Sequence, residues 1–294
     1  MSGVPTNRTN ITLPAELSAE IIQKTQEESA IMRLARQIAL PGRGLEIPVI
    51  TSDPEAAWVS ETGTKPVANP GLTKKVMTAY KLAVIVPFSN EFRRDAAALY
   101  DQLVRRLPLA LAKKFDQTVM GAVNAPGANF TTFANCETQD LSTDAYAALV
   151  AADADIADNG GILNGFALSP QAKSVLLGAS DKNDRPLFIN SVAEGAIPMI
   201  LGAPTVMSKG VYAAGVAANA VGIAGDWTQA LYGTVEGVRV DYSADATLVT
   251  GESGAEEYIN LFQQNMFAVR AEIEVGFVAD ADCFNILTTD VTSS

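Results

Sequence analysis

Apolar and polar positions change their period several times along the chain, and each change marks an element. Residues 1–12 are polar, with Asn7, Arg8, Thr9 and Asn10, and read as a flexible arm. Over residues 14–40, Leu17, Ile21, Ile31, Leu34 and Ile38 recur near helical spacing. Pro14 suits a first turn and Pro41-Gly42-Arg43-Gly44 a stop, so a helix is predicted there. Its middle, residues 23–29, is very polar and needs packing on other elements or subunits. Between residues 45 and 88 both ends are strand-like. Ile47-Pro48-Val49-Ile50 opens the stretch, and Val76, Thr78, Tyr80, Leu82, Val84, Val86 and Phe88 alternate at its close. The polar span between, residues 51–71, holds Pro, Gly and one aromatic, Trp58. This pattern predicts an extended hairpin that buries little against its own subunit. An isolated two-stranded ribbon is marginal in water, so another chain is its expected stabiliser.

Ser89 then offers an N-cap to a long helix ending near Gly121, with Phe92, Ala96, Leu99, Leu103, Leu107, Leu111 and Phe115 on one face. Its other face carries Arg93, Arg94, Arg105, Arg106, Lys113 and Lys114, which read first as a solvated face. Pro108 predicts a kink or break. After a turn-rich junction at 124–135, an Ala/Gly-rich region reads as mixed helix and strand. A helix is expected around 143–158, a strand at 165–169, a helix from Pro170 through Leu177, and short apolar segments at 196–206 and 220–224. Strand signals close the chain: Val238, Val240 and Tyr242 alternate, as do Phe267, Val269, Ala271, Ile273, Val275 and Phe277 against Arg270, Glu272 and Glu274. Residues 243–257 between them read as a polar loop.

Composition narrows what this pattern can be. The chain has 294 residues, 48% of them hydrophobic and 18% charged, enough for a sizeable core of one large or two intertwined domains. Its net charge of −12 is uneven: residues 1–120 carry +3 and residues 121–294 carry −15. That balance argues against a general nucleic-acid or anionic-membrane surface. The absence of histidine removes Ser-His-Asp and Cys-His catalysis and His-ligated zinc. Cys136 and Cys283 form no CxxC pair and read as two reduced thiols, with a disulfide unsupported. The N-terminus lacks signal-peptide regions, and a soluble intracellular product is expected.

Searches for chemistry return nothing specific. Asp153-Ala-Asp155 and Asp280-Ala-Asp282 do not continue into calcium loops. Gly160-Gly161 lacks phosphate-cradle spacing. The sequons at Asn7 and Asn10 carry little weight without a secretion signal. No carboxylate pair stands out for glycoside hydrolysis. No cofactor and no metal are implied.

Several short strings, in order, do resemble one family. Thr12-Leu13-Pro14-Ala15-Glu16 with Glu28-Ser29 looks like the start of an N-terminal arm. Ala57-Trp58-Val59-Ser60-Glu61-Thr62-Gly63 with Lys65-Pro66 looks like an extended loop lying across a neighbouring subunit. Ser89-Asn90-Glu91-Phe92 through Asp95 looks like the opening of a spine helix. Ile200 to Val206 and Gly222-Ile223-Ala224-Gly225-Asp226-Trp227 are similar to axial-domain segments, and Gln264-Asn265-Met266 through Arg270-Ala271-Glu272 to a long returning strand. Together, over about residues 12–290, they resemble the major capsid proteins of tailed bacteriophages, whose fold is shared with encapsulin shells and the herpesvirus capsid floor.

The resemblance implies an α+β tailed-phage major capsid fold. It divides the chain into an N-terminal arm (1–42), an extended β-hairpin loop (43–88), a peripheral domain with a long spine helix (89–135), an axial domain (136–232), the peripheral return strands and loop (233–277) and an axial C-terminal segment (278–294). The function it implies is structural and non-enzymatic: hexamers and pentamers forming an icosahedral head around double-stranded DNA. Expected partners are further copies of the chain, a portal protein and, where a phage uses them, separate scaffolding and decoration proteins. DNA is enclosed without specific binding, and no membrane is involved. The expected location is the virion, after assembly in the host cytoplasm. Only about a dozen residues precede the arm, so the long scaffolding domain of some relatives is not expected here.

Expected subunit contacts are Trp58, Glu61, Lys65, Lys74, Lys75, Arg93, Arg94, Arg105, Arg106, Arg270 and Glu272. Basic patches on the spine helix or hairpin would meet acidic patches of residues 121–294 on adjacent subunits, guiding register more than affinity. One group within the family cross-links its shell by a Lys–Asn isopeptide bond assisted by a Glu of another subunit. Lys74, Asn265 and Glu272 fall on those positions. In a dry interface the carboxylate would take the lysine's proton, and the amine would attack the carboxamide and expel ammonia. The simpler reading is stronger: a solvated loop lysine, an asparagine at a strand end, and a glutamate paired with Arg270. An encapsulin-like compartment with protein cargo is the nearest alternative. A cytosolic hydrolase using a carboxylate pair is the alternative from another class, and it predicts a soluble monomer or small oligomer with a concave pocket.

Overall fold

The computed structural model describes residues 25, 28–52, 56, 58–59, 64–65, 67, 71–89, 96–180, 186–188, 199–235, 238–250 and 257–291. Helix α1 (Ala30–Leu34) starts at Ser29, whose hydroxyl accepts a hydrogen bond from the Met32 amide at 3.1 Å. It ends at Ala35, which is extended, and the chain continues as strand β1 (Arg36–Ala39). The helix expected through residue 40 therefore stops early. Parallel pairing of Arg36–Ala39 with a strand some 200 residues away in sequence overrides the local helical period there. The part of that expectation before residue 25, like the polar arm, lies outside the described residues.

Strands β2 (Leu45–Ser52) and β3 (Gly71–Met77) pair antiparallel with each other and with no other strand. Gly44 at their root has φ +83°, and a Cβ there would stand 2.8 Å from the Met77 carbonyl oxygen, so the turn requires glycine. The alternating stretch 76–88 is not one hairpin strand. It divides at Thr78–Ala79, and β4 (Tyr80–Ser89) leaves the hairpin for a new partner. Ser89 is the last described residue of β4, opposite Met266, and the helix start that it was expected to cap lies outside the described residues.

Helix α2 (Ala96–Val119) runs through Pro108 without the expected break, and Pro108 is buried there, as are Leu107 and Leu111. The next segment follows the sequence closely. Strand β5 (Glu137–Asp140) precedes α3 (Ala145–Asp158), which is capped by Asp144. Strand β6 (Gly165–Leu168) is followed by α4 (Pro170–Gly178), with Ser169 as cap and Pro170 in the first turn. Then come β7 (Met199–Ile200), β8 (Ala203–Met207), β9 (Ala218–Gly225), β10 (Ala230–Thr234) and β11 (Arg239–Ser243). The expected polar loop contains a further strand, β12 (Thr247–Thr250), which pairs with β13 (Glu257–Asn260). Opposed Leu248–Ile259 and Val249–Tyr258 pairs supply the cross-strand contact that the polar composition hides. Strands β14 (Met266–Ala279) and β15 (Phe284–Asp290) complete the chain.

Two sheets result. In the first, β14 is the common member, pairing with β4 along Met266–Val275, with β11 along Ala268–Glu272 and with β10 along Val275–Ala279. The second runs β5-β15-β9-β6-β8-β7, and α3 and α4 pack on it through Leu149, Ala152, Ile156, Ala172 and Leu176. Helix α2 crosses between the sheets. Leu107 and Leu111 pack on the first with Val240, Phe267, Val269 and Ile273. Phe115 and Val119 enter a shared aromatic core with Ile31, Phe130, Phe133, Trp227, Phe277 and Phe284. Burial of each such ring contributes roughly 1.5–3 kcal/mol, so this core joins the two sheets and α1 into one body.

Candidate assembly surface

The hairpin is anchored at its root and uncovered beyond it. Lys75 Nζ donates to Asp280 Oδ1 at 3.1 Å and to the Ala279 carbonyl at 3.2 Å, fastening β3 to the end of β14. Lys74 Nζ lies 2.8 Å from Glu46 Oε1 across the ribbon. Past these contacts Trp58 is 105% exposed and Val67 87%, with Lys65 exposed between them. An indole fully in water gains nothing from its own fold, and contiguous exposed apolar surface marks a docking region.

The outer face of the first sheet carries a charge ladder. Lys81 lies 3.2 Å from Glu274 and 3.7 Å from Glu272, and Arg270 Nε is 3.6 Å from Glu272. Arg270 also binds Asp241, which Arg239 contacts at 3.2 Å. Burial raises the Asp241 carboxyl, but hydrogen bonds from Arg270 and Arg239 outweigh it and hold the group below its ordinary range. A hydrogen bond to Glu274, reinforced by the charge of Glu272, raises the Lys81 ammonium. Arg270 and Glu272 are thus engaged within their own chain, as is Lys74.

The three cross-link positions do not converge within one subunit. Asn265, at φ +53° in the turn before β14, is seven residues from Glu272, about 23 Å along a strand. Lys74 is on the hairpin. Arg106 is exposed on α2, and Arg105 lies in the same helix with its side chain outside the described residues. Glu61, Arg93 and Arg94 are outside them altogether.

Sequence reasoning passed over the most deeply buried carboxylate. Asp116 on α2 is fully buried and accepts hydrogen bonds from Ser29 Oγ at 2.6 Å, Ser208 Oγ at 2.7 Å and the Ala30 amide at 3.2 Å. Burial pushes its pKa up to about 6 against the opposing pull of these donors. Its helical phase is the available signal, since it shares the buried stripe of Ala112, Phe115 and Val119.

Among the described residues, a cleft of about 390 Å³ beside Trp227 and one of about 140 Å³ between β4 and α2 have no carboxylate in their lining. Burial raises both thiols, Cys136 to about 12, and both cysteines are free. Among the described residues no group of three His, Cys, Asp or Glu could hold a metal. No described helix is long and apolar enough to cross a membrane.

Comparisons with known proteins place this sheet-and-spine body with its hairpin in a family. Residues 9–287 match the family model described as the phage capsid family. The probable major capsid protein of Mycobacterium phage D29 is 30% identical over 95% of this chain and 91% of its own length. The major capsid protein of Staphylococcus phage 80alpha is 24% identical over 93% of this chain and 83% of its own. A solved structure from Mycobacterium phage Adephagia superposes with a TM-score of 0.72 at 21% identity, covering 90% of this chain and 91% of that one. The capsid of an empty GTA particle, computed with C5 symmetry, matches with a TM-score of 0.60 at 13% identity over 99% of this chain and 96% of that one. The chain belongs to the phage capsid family, and its α+β fold is that of tailed-phage capsid proteins. The family is structural, and its members are parts of virions.

Proposed function

We infer that this chain is the major capsid protein of a tailed bacteriophage, self-assembling as hexamers and pentamers into an icosahedral head that encloses double-stranded DNA. The observation that carries the reading is the hairpin β2–β3. Among the described residues it pairs with no further strand, and Trp58 between its strands is fully exposed; an adjacent subunit supplies the missing cover. The match to a capsid of stated fivefold symmetry supports the pentamer.

Trp58, Glu61, Lys65, Arg93, Arg94, Arg105 and Arg106 are the subunit contacts of this reading. Lys74, Lys75, Arg270 and Glu272 act at contacts through the ladders and root they build. The proposed division is an N-terminal arm (1–42), an extended loop (43–88), peripheral parts (89–135 and 233–277) and axial parts (136–232 and 278–294). Assembly takes place in the host cytoplasm, with a portal at one vertex. The net charge of −12 makes specific DNA binding unnecessary to a shell that only surrounds it.

The shell is held without covalent cross-links. Within its own chain Lys74 is paired with Glu46, and Glu272 with Lys81 and Arg270. Size-exclusion chromatography and negative-stain microscopy of the expressed chain test the assembly reading. Ring-like capsomers or shells are expected; a monomer alone overturns it. DNA-filled heads in infected cells separate a phage head from a compartment with protein cargo. On boiled denaturing gels a single band near 30.9 kDa is expected, and a ladder of multiples overturns the non-covalent reading.

A further inference from the structure

Two arginines of the N-terminal segment, Arg33 and Arg36, line one cleft. The cleft of about 390 Å³ lies where α1 and β1 meet the second sheet, with Arg33 and Arg36 at its rim and Asn164, Trp227 and Thr228 in its wall. Both arginines are exposed, and neither makes an ion pair among the described residues.

The wall is already committed. Thr228 Oγ1 and Asn164 Nδ2 donate to Asp226 Oδ1 at 2.6 and 2.7 Å, and the Ile162 amide donates to Asp226 Oδ2 at 3.1 Å. Asn164 Oδ1 accepts from the Trp227 amide at 2.9 Å, and Trp227 Nε1 donates to the Gly165 carbonyl at 2.9 Å. The wall is rigid and its strong polar groups are satisfied, so recognition falls to the two guanidinium groups. Their planar forks match carboxylates bidentately. Asp116 fixes α1 through Ser29 and Ala30, so Arg33 projects from an anchored element.

We propose that this cleft receives carboxylate side chains of a second copy of this chain. Charge complementarity selects that occupant, because residues 1–120 carry +3 and residues 121–294 carry −15. Glu137 on β5 and Asp153 and Asp158 on α3 are exposed and have no ion-pair partner among the described residues. Strand β5 is one edge of the second sheet, whereas α1 packs on β6 and β8 toward the other side. Complementary patches at different ends of one subunit make a heterologous contact, which closes into rings when the rotation closes. This rests on the capsid reading and adds to it a specific pair of surfaces, different from the spine helix and hairpin tip.

Charge reversal and its rescue test it. Arg33→Glu/Arg36→Glu is expected to lower the yield of capsomers or shells by about tenfold or more while leaving the subunit's melting temperature unchanged. Glu137→Lys/Asp153→Lys/Asp158→Lys is expected to do the same, and the two sets combined to restore assembly. Unchanged yield in the arginine variant overturns the proposal while the capsid reading stands. A loss that no acid reversal rescues, with inorganic phosphate binding the native chain but not the arginine variant, assigns the cleft to a phosphate ligand and also overturns it. A native chain that never assembles overturns both.

Discussion

The Ser29 hydroxyl donates a 2.6 Å hydrogen bond to Asp116 Oδ1 across 87 residues of chain, and both side chains are buried. Because Oδ2 also accepts from Ser208 Oγ at 2.7 Å, one carboxylate joins α1, α2 and the segment after β8. The approach is close: a Cβ on Gly210 would lie 2.6 Å from the Asp116 Cβ. The position of α1 therefore depends on a node in the interior.

Ser29→Ala removes the cap of α1 and one donor to Asp116. A loss of about 1–3 kcal/mol in subunit stability is expected from denaturant unfolding, with the native sheet spectrum retained.

Asp116 gives stability a pH dependence of definite sign. Its pKa in the folded chain is about 6, above the ordinary carboxylate value, so the folded state holds the extra proton between these limits. The stabilisation is fully present below the unfolded value and is lost as pH rises through about 6, by up to about 3 kcal/mol. Melting temperatures compared from pH 4 to 7 are expected to fall less for Asp116→Asn than for the native chain. Parallel profiles would contradict this.

Phe277 and Trp58 should separate folding from assembly. Phe277 is fully buried against Phe115, Phe130 and Phe133, with ring centroids 5.7–6.1 Å away. Phe277→Ala is expected to cost about 3–5 kcal/mol of subunit stability. Trp58→Ala should change stability by less than about 0.5 kcal/mol yet sharply reduce particle yield, read by melting and by electron microscopy of the same preparations.

Local signals were legible where they governed the structure alone. Ser169-Pro170 opens α4, Asp144 caps α3, and the alternation of Phe267 through Phe277 became β14. The unread features depend on distant partners. Ile38 keeps a helical period but pairs in β1 with a strand beyond residue 229, and Tyr80 leaves an unbroken alternation because β14 rather than β2 lies beside it. Asp116 looked like one more charge on a basic helix, since its three donors come from segments remote in sequence. Arg33 and Arg36 became notable only once Trp227 and Thr228 were beside them.

Sedimentation velocity of the purified chain over rising concentration tests its shell-forming role most directly. Mass should pass from the 30.9 kDa subunit into ring-sized and larger species, and less of it should do so at high salt, where charge-guided contacts are screened. A single 30.9 kDa species at every concentration would contradict the role assigned to the uncovered hairpin and to the chain as a whole.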